Sequence, residues 1–293
     1  MGRKKVNQLM QSDNGLIAEL ADVKWIKQPV IYSMISGDFT LMQMNIIIAL
    51  SKAIQERIEE YLSRNCKSQG GGKQLTLFSN DEMAREAITI DLDLSDLGIR
   101  SDMYDKLESA CENLMKMSMS YPVYENKKLA NRVYINLFSR IVIPTNSDDV
   151  NGNPYAYKGG KRRKGIISVT MLTKNLSDVF DMSHGYVNHI ATIAQFCKKK
   201  RTPRVYIYLE RWRNYKTKTV DYIEFKEYLG LLRYDRKNNV VKDEIYPSYW
   251  EFCQKVLNPV KKEMDKLLEK NLIDISFDYE PNLQNHTQAW NAR

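Results

Sequence analysis

Gln254, Lys255 and Asn258 bring two amides and an ammonium group into five residues. A side-chain amide donates and accepts at once, which matches the paired groups on an adenine edge. A lysine matches the two acceptors of guanine. The chemistry on offer is the reading of base edges in a DNA major groove. Gln254 suits adenine and Lys255 guanine, and the residues alone do not choose between them. Lys261 and Lys262 follow, and Ser248 precedes; these suit phosphate contact. A second set lies upstream, where Lys199, Lys200, Arg201, Thr202 and Arg204 crowd together. A third, Arg162 and Arg163, stands in the run Lys161-Arg162-Arg163-Lys164. Both sets are expected to neutralise phosphates, the second aided by the amides of a helix start.

The element that must position the first set is a helix. Phe252, Val256, Val260 and Met264 recur every four residues, with Tyr249 and Leu267 beside them. They form one apolar stripe. Gln254, Lys255, Asn258, Lys261 and Lys262 fall opposite, with Glu251 the main acidic exception. Ser248 and Glu251 fit an S-x-x-E capping box, so the helix start is encoded locally. For the second set, Thr202 and Pro203 read as the N-cap and first residue of a helix reaching about Tyr215. Its expected core face is Val205, Tyr206, Leu209, Trp212 and Tyr215.

Residues 1–29 read as a flexible arm, without pattern over the first 24. Thr40 and Gln43 then cap a helix whose apolar positions run from Ile46 to Leu62. The glycine-rich stretch 66–74 reads as a loop. A short strand is expected near Ile88–Ile90, and a short helix over Asp93–Ile99 ended by Gly98. A long helix follows after Ser101, then strands over Arg132–Ile143 and Gly165–Met171. The turn-rich insert 144–164 separates those two strands.

The second half repeats this order. After the helix at Thr202 come a strand at Thr219–Ile223, a short helix ended by Gly230, the long helix at Ser248, and a strand over Leu272–Tyr279. The junctions Leu97-Gly98-Ile99 and Leu229-Gly230-Leu231 correspond. Helix, strand, helix, helix, strand pair is the winged-helix layout, in which the third helix reads the groove. The expected architecture is α+β with two tandem winged-helix domains, residues 30–182 and 183–293.

Charge supports a polyanion partner. The chain carries a net charge of +8 over 293 residues. Lys158–Lys218 holds 15 Lys/Arg against 3 Asp/Glu, while the remainder holds 29 against 33. A basic block on a mildly acidic protein fits nucleic acid. The first long helix is less basic, with Asp102, Asp105, Glu108 and Glu112 against Lys106 and Lys116. The second domain is therefore expected to do most of the sequence reading. The first is expected to supply weaker DNA contact and dimerisation.

Enzyme chemistry finds no footing. Gly70-Gly71-Gly72-Lys73 lacks the spacing and the following Ser/Thr of a phosphate loop. The three histidines, His184, His189 and His286, form no H-x-H pair that would hold a metal beside a DNA-nicking tyrosine. The four cysteines include no C-x-x-C, so neither a zinc ribbon nor a redox pair is signalled. Cys111 and Cys253 read as small core residues. No cofactor is expected. The longest apolar run, Ile46–Leu50, is too short to span a bilayer. Met1–Lys5 lacks the apolar stretch of a secretion signal, and a cytoplasmic location is expected.

Three segments together resemble the replication initiators of iteron-containing, theta-replicating plasmids. They are Thr202-Pro203-Arg204-Val205-Tyr206-Ile207-Tyr208-Leu209, then Phe252 through Val256-Leu257-Asn258-Pro259-Val260 to Glu263-Met264, then Ile275-Ser276-Phe277-Asp278-Tyr279-Glu280. Phe39-Thr40-Leu41 through Ala53 is similar to the opening helix of that family's first domain. The resemblance spans about residues 30–280. It implies tandem winged helices without enzymatic activity, and monomers bound to direct repeats of double-stranded origin DNA. It also implies a dimer that represses from an inverted repeat, and host initiator and helicase proteins as partners. The family's last wing carries a second strand after the acidic turn; Pro281–Arg293 has little strand pattern, so either a shortened wing or a sequence that is a fragment is expected. The alternative function is a winged-helix transcription regulator on a palindromic operator. Direct repeats beside the gene would favour the first reading, and a lone palindrome the second.

Overall fold

A computed structural model describes residues 25–67, 77–99, 103–125, 128–143, 165–235, 240–282 and 287–292. The fold is a mixed α+β arrangement with small antiparallel sheets. Most of the expected arm, the greater part of the 66–74 loop, and the 144–164 insert with Arg162 and Arg163 lie outside the described residues. The last five arm residues do not stay free: Trp25–Pro29 form strand β1.

The first half continues with α1 (Val30–Ser33), α2 (Leu41–Ala53), α3 (Gln55–Lys67), α4 (Asn80–Met83), β2 (Ala87–Asp93) and α5 (Tyr104–Lys116). Strands β3 (Met119–Glu125), β4 (Lys128–Ile135), β5 (Arg140–Val142) and β6 (Ile166–Leu172) follow, then α6 (Thr173–Val179). The Thr40 hydroxyl accepts from the Gln43 N–H and the Gln43 amide oxygen accepts from the Thr40 N–H, so the expected capping box is formed. The expected single helix is two: Ile54 leaves helical geometry between α2 and α3. Helix α2 buries Ile46, Ile47, Ile48 and Leu50 all round and is a central core helix. Strand β2 alternates, with Ile88, Ile90 and Leu92 buried. The expected short helix at Asp93–Ile99 is a run of turns, closed by Gly98 at φ +62°. Where one strand run from Arg132 was expected, β4 and β5 stand apart and β4 pairs with β3. Strand β3 holds Pro122, which is tolerated because the edge of β3 away from β4 carries only a bridge at Ser120 to Ser36.

The second half runs β7 (Tyr186–Ile190), α7 (Ile193–Phe196), α8 (Thr202–Glu210), β8 (Thr217–Asp221), α9 (Tyr222–Tyr228), β9 (Leu232–Asp235) and β10 (Val240–Glu244). It ends with α10 (Tyr249–Phe252), a π-helical turn (Cys253–Leu257), α11 (Asn258–Glu269), β11 (Phe277–Asn282) and β12 (Thr287–Ala292). Helix α8 stops at Glu210, short of the expected Tyr215. Val205, Tyr206 and Leu209 are core residues, whereas Tyr215 is 57% exposed. Strand β12 corrects the expected shortened wing: it pairs with both β11 and β8. Its residues lack apolar alternation, and its place is secured by backbone pairing on two sides.

The halves share a topology. In the first, sheet order is β2-β6-β5; in the second it is β8-β12-β11. Each time, a strand ahead of the long helix pairs with the last strand of its half, which pairs in turn with the strand before it; a separate hairpin follows the long helix in the first half (β3–β4) and precedes it in the second (β9–β10). The two halves also interlock. Strand β1 pairs with β7 in register from Trp25↔Ile190 to Pro29↔Tyr186. Arg132 of β4 meets Glu227 of α9 at 3.2 Å, with side chains only 6% and 4% exposed, and donates to Ser36 at 2.7 Å. Gly230, at φ +71°, lies so close to the first half that a Cβ there would fall 2.2 Å from the Asp38 amide nitrogen. One apolar cluster takes in residues of both halves, Cys111, Cys197 and Cys253 among them.

Candidate nucleic-acid interface

The segment 249–269 is one continuous helical run. At its start the Ser248 hydroxyl accepts from the Glu251 N–H at 3.1 Å and donates to the Glu251 carboxylate at 3.2 Å. Tyr249 packs edge-on against Tyr222, and Phe252 against Tyr222 and Phe225. These rings fix the rotation of the first turn. Ser248 is thus the cap, and its hydroxyl is committed to Glu251.

The middle of the run departs from a plain α-helix. The Asn258 N–H reaches back five residues to the Cys253 carbonyl, a π-type bond. Pro259 explains it. Proline has no N–H to offer the Lys255 carbonyl, and its ring would collide with that carbonyl in a tight turn. A wider turn removes the collision. The same turn serves the apolar stripe. Steps of four residues drift by about 40° each around an α-helix, and a turn with more residues corrects that drift. Phe252, Val256, Val260 and Met264 are all buried as a result.

Gln254, Lys255, Asn258 and Lys262 all stand exposed on the outer side. Asn258 is partly committed: its Oδ1 accepts from the Tyr279 hydroxyl at 2.6 Å, which aligns the side chain and leaves the NH2 to donate elsewhere. Burial pushes the Tyr279 phenol up to about 12, so it remains a donor at neutral pH. Lys261 does not join this face. It pairs with Asp265 at 2.6 Å and Asp278 at 3.3 Å, and the hydrogen bond to Asp265 holds its ammonium above the ordinary lysine range. Its expected phosphate role gives way to a bridge between α11 and β11.

The basic stretch 198–204 departs further from expectation. The carboxylate of Glu263, on α11, accepts from the Lys198 N–H at 2.7 Å, the Lys199 N–H at 3.1 Å and the Thr202 hydroxyl. The anion expected at this turn is therefore the protein's own. Lys200 and Arg201 both pair with Asp38, at 2.7 and 3.3 Å. Thr202 and Arg204 are buried, and neither meets a phosphate in this arrangement. Arg204 donates to the Tyr228 carbonyl at 2.6 Å and lies between the Tyr228 and Phe39 rings. Burial lowers its affinity for the proton, and its hydrogen bond and ring contacts make it a structural group at the junction of the halves. Of the expected phosphate contacts on this stretch, Lys199 alone is exposed.

The sequence reading did not find the partners Asp38, Glu263 and Tyr279, nor Trp250 on the outer side of the helix. Only Trp250 had a signal: it lies four residues before Gln254. Among the described residues, no three His, Cys, Asp or Glu side chains group as a metal site would require, and no helix is long and apolar enough to cross a membrane. No protein-family model matches the chain, and no curated protein matches it closely enough to count as a relative.

Proposed function

We propose that this chain is a sequence-specific double-stranded DNA-binding protein of two tandem winged-helix units, acting as a plasmid replication initiator on direct repeats. The carrying observation is the shared sheet order: in each half a strand ahead of the long helix pairs with the last of two strands behind it, with a separate hairpin after the long helix in the first half and before it in the second. The long helix of the second half carries Gln254, Lys255 and Asn258 outward near a capped start, the geometry with which a helix reads the major groove. The initiator reading rests on the resemblance of the segments at 202–209, 252–264 and 275–280. The first unit, with its more acidic long helix, takes the auxiliary DNA contact and self-association. Host initiator and helicase proteins are the partners this role requires.

The test is selection of duplexes from a randomised pool by the full chain, followed by footprinting on the DNA flanking its gene. Protection of several direct repeats is the expected result. Protection of a single palindrome makes the protein a transcription regulator, and no preference over random duplex sinks the DNA-reading role.

A further inference from the structure

Trp250 is 69% exposed, the most open of the large apolar side chains among the described residues. Its position is not loose. The hydroxyl of Ser248 caps the turn, and Tyr249 and Phe252 on either side of it are held by Tyr222 and Phe225. With both neighbours turned to the core, residue 250 must face outward. It stands one turn before Gln254 and Lys255, on the side where Asn258 and Lys262 follow. Glu251, the nearest acid in sequence, is engaged by the Ser248 hydroxyl.

We propose that Trp250 is a base-reading residue that lays its indole against the C5-methyl group of a thymine in the major groove. This rests on the DNA-reading role proposed above. Base faces in a duplex are covered by stacking, so a side chain in the groove meets only base edges. The thymine methyl is the one apolar group on those edges. An indole beside two amides and exposed ammonium groups is therefore matched to a polyanion that offers one apolar spot. Exposed aromatics of this kind become energetic anchors once a partner covers them.

The experiment uses the full chain and the duplex recovered by selection. Each thymine is replaced in turn by deoxyuridine, which removes only the methyl. One replacement is expected to weaken wild-type binding by about fourfold, the value of one buried methyl group. Trp250→Ala is expected to bind the thymine duplex more weakly and to lose nothing further on that deoxyuridine duplex. The wild-type measurement stands even if the variant misfolds. The proposal is overturned if no thymine is sensitive, or if the sensitivity persists undiminished in folded Trp250→Ala. Failure of the wild-type chain to select any duplex overturns the DNA-reading role as well, and so differs from the failure of Trp250 alone.

Discussion

Lys255 and Arg204 show how little residue type says about duty. Lys255 stands exposed on the outer side of its helix, and Lys255→Ala is expected to weaken binding to the selected duplex by about 1–3 kcal/mol while sparing random DNA. Equal loss on both duplexes would reassign it to a phosphate. Lys199→Ala and Lys262→Ala are each expected to flatten the slope of log affinity against log salt by about 0.9. Arg204→Ala should leave that slope alone and lower stability by about 1–3 kcal/mol through its lost buried hydrogen bond, which a denaturant titration measures. The sequence shows which side chains carry charge. It does not show which charges are already spoken for: Lys200 and Arg201 find Asp38 across 162 and 163 positions.

Helices were more legible than strands, and for a physical reason. The caps at Thr40 and Ser248 and the stripe from Phe252 to Met264 are local patterns, and all three mark real helices. Strands β9, β10 and β12 carry little apolar alternation, and β12 is held in part by β8 more than 60 positions back, so no local signal announces them. The π turn lies between these cases, because the four-residue spacing and Pro259 both hint at it. Pro259→Ala is expected to let the run relax toward a regular α-helix. That rotates Gln254 and Lys255 against Asn258, so base preference should change while thermal stability holds or rises. An unchanged preference would show the turn to be a packing device only. Gly230 was legible as a helix stop but not as a contact. Gly230→Ala meets left-handed backbone, a penalty of about 1–2 kcal/mol, and also the Gly37–Asp38 backbone. Gly98→Ala meets the same backbone strain but only the movable end of Gln195, at 2.9 Å. Urea midpoints should therefore fall further for Gly230→Ala than for Gly98→Ala.

At the scale of the whole molecule, the junction of the halves is built from groups that tolerate no loss. A chain cut to begin at Ser183 strips β1 from β7 and leaves Glu227, 4% exposed in the intact protein, without Arg132. Such a fragment is expected to be markedly less stable than the intact chain, since it loses a strand pairing, an ion pair and the first half's share of the common apolar cluster. His189 adds a pH dependence to the same joint. It is fully buried, bonded to Gln28 of β1 and to the Ile190 carbonyl, and burial lowers its pKa from 6.5 to about 4. The unfolded chain binds this proton below the upper value and the folded chain only below the lower. The contribution is full above pH 6.5 and is lost as pH falls toward about 4, by roughly 3 kcal/mol. Urea midpoints followed across that window should fall more steeply for the wild type than for His189→Gln. A joint closed by backbone contact at Gly230, by a buried ion pair and by strand pairing leaves the two halves little room to swivel, so on the proposed DNA-reading role it would act as a ruler. A duplex met by both units must offer its two sub-sites at one separation and in one rotational phase. Inserting about five base pairs between them turns one sub-site to the far face; inserting about ten restores the face but opens a gap of about 34 Å. Both insertions should cost the whole contribution of one unit, whereas a loosely tethered pair would recover at the longer one.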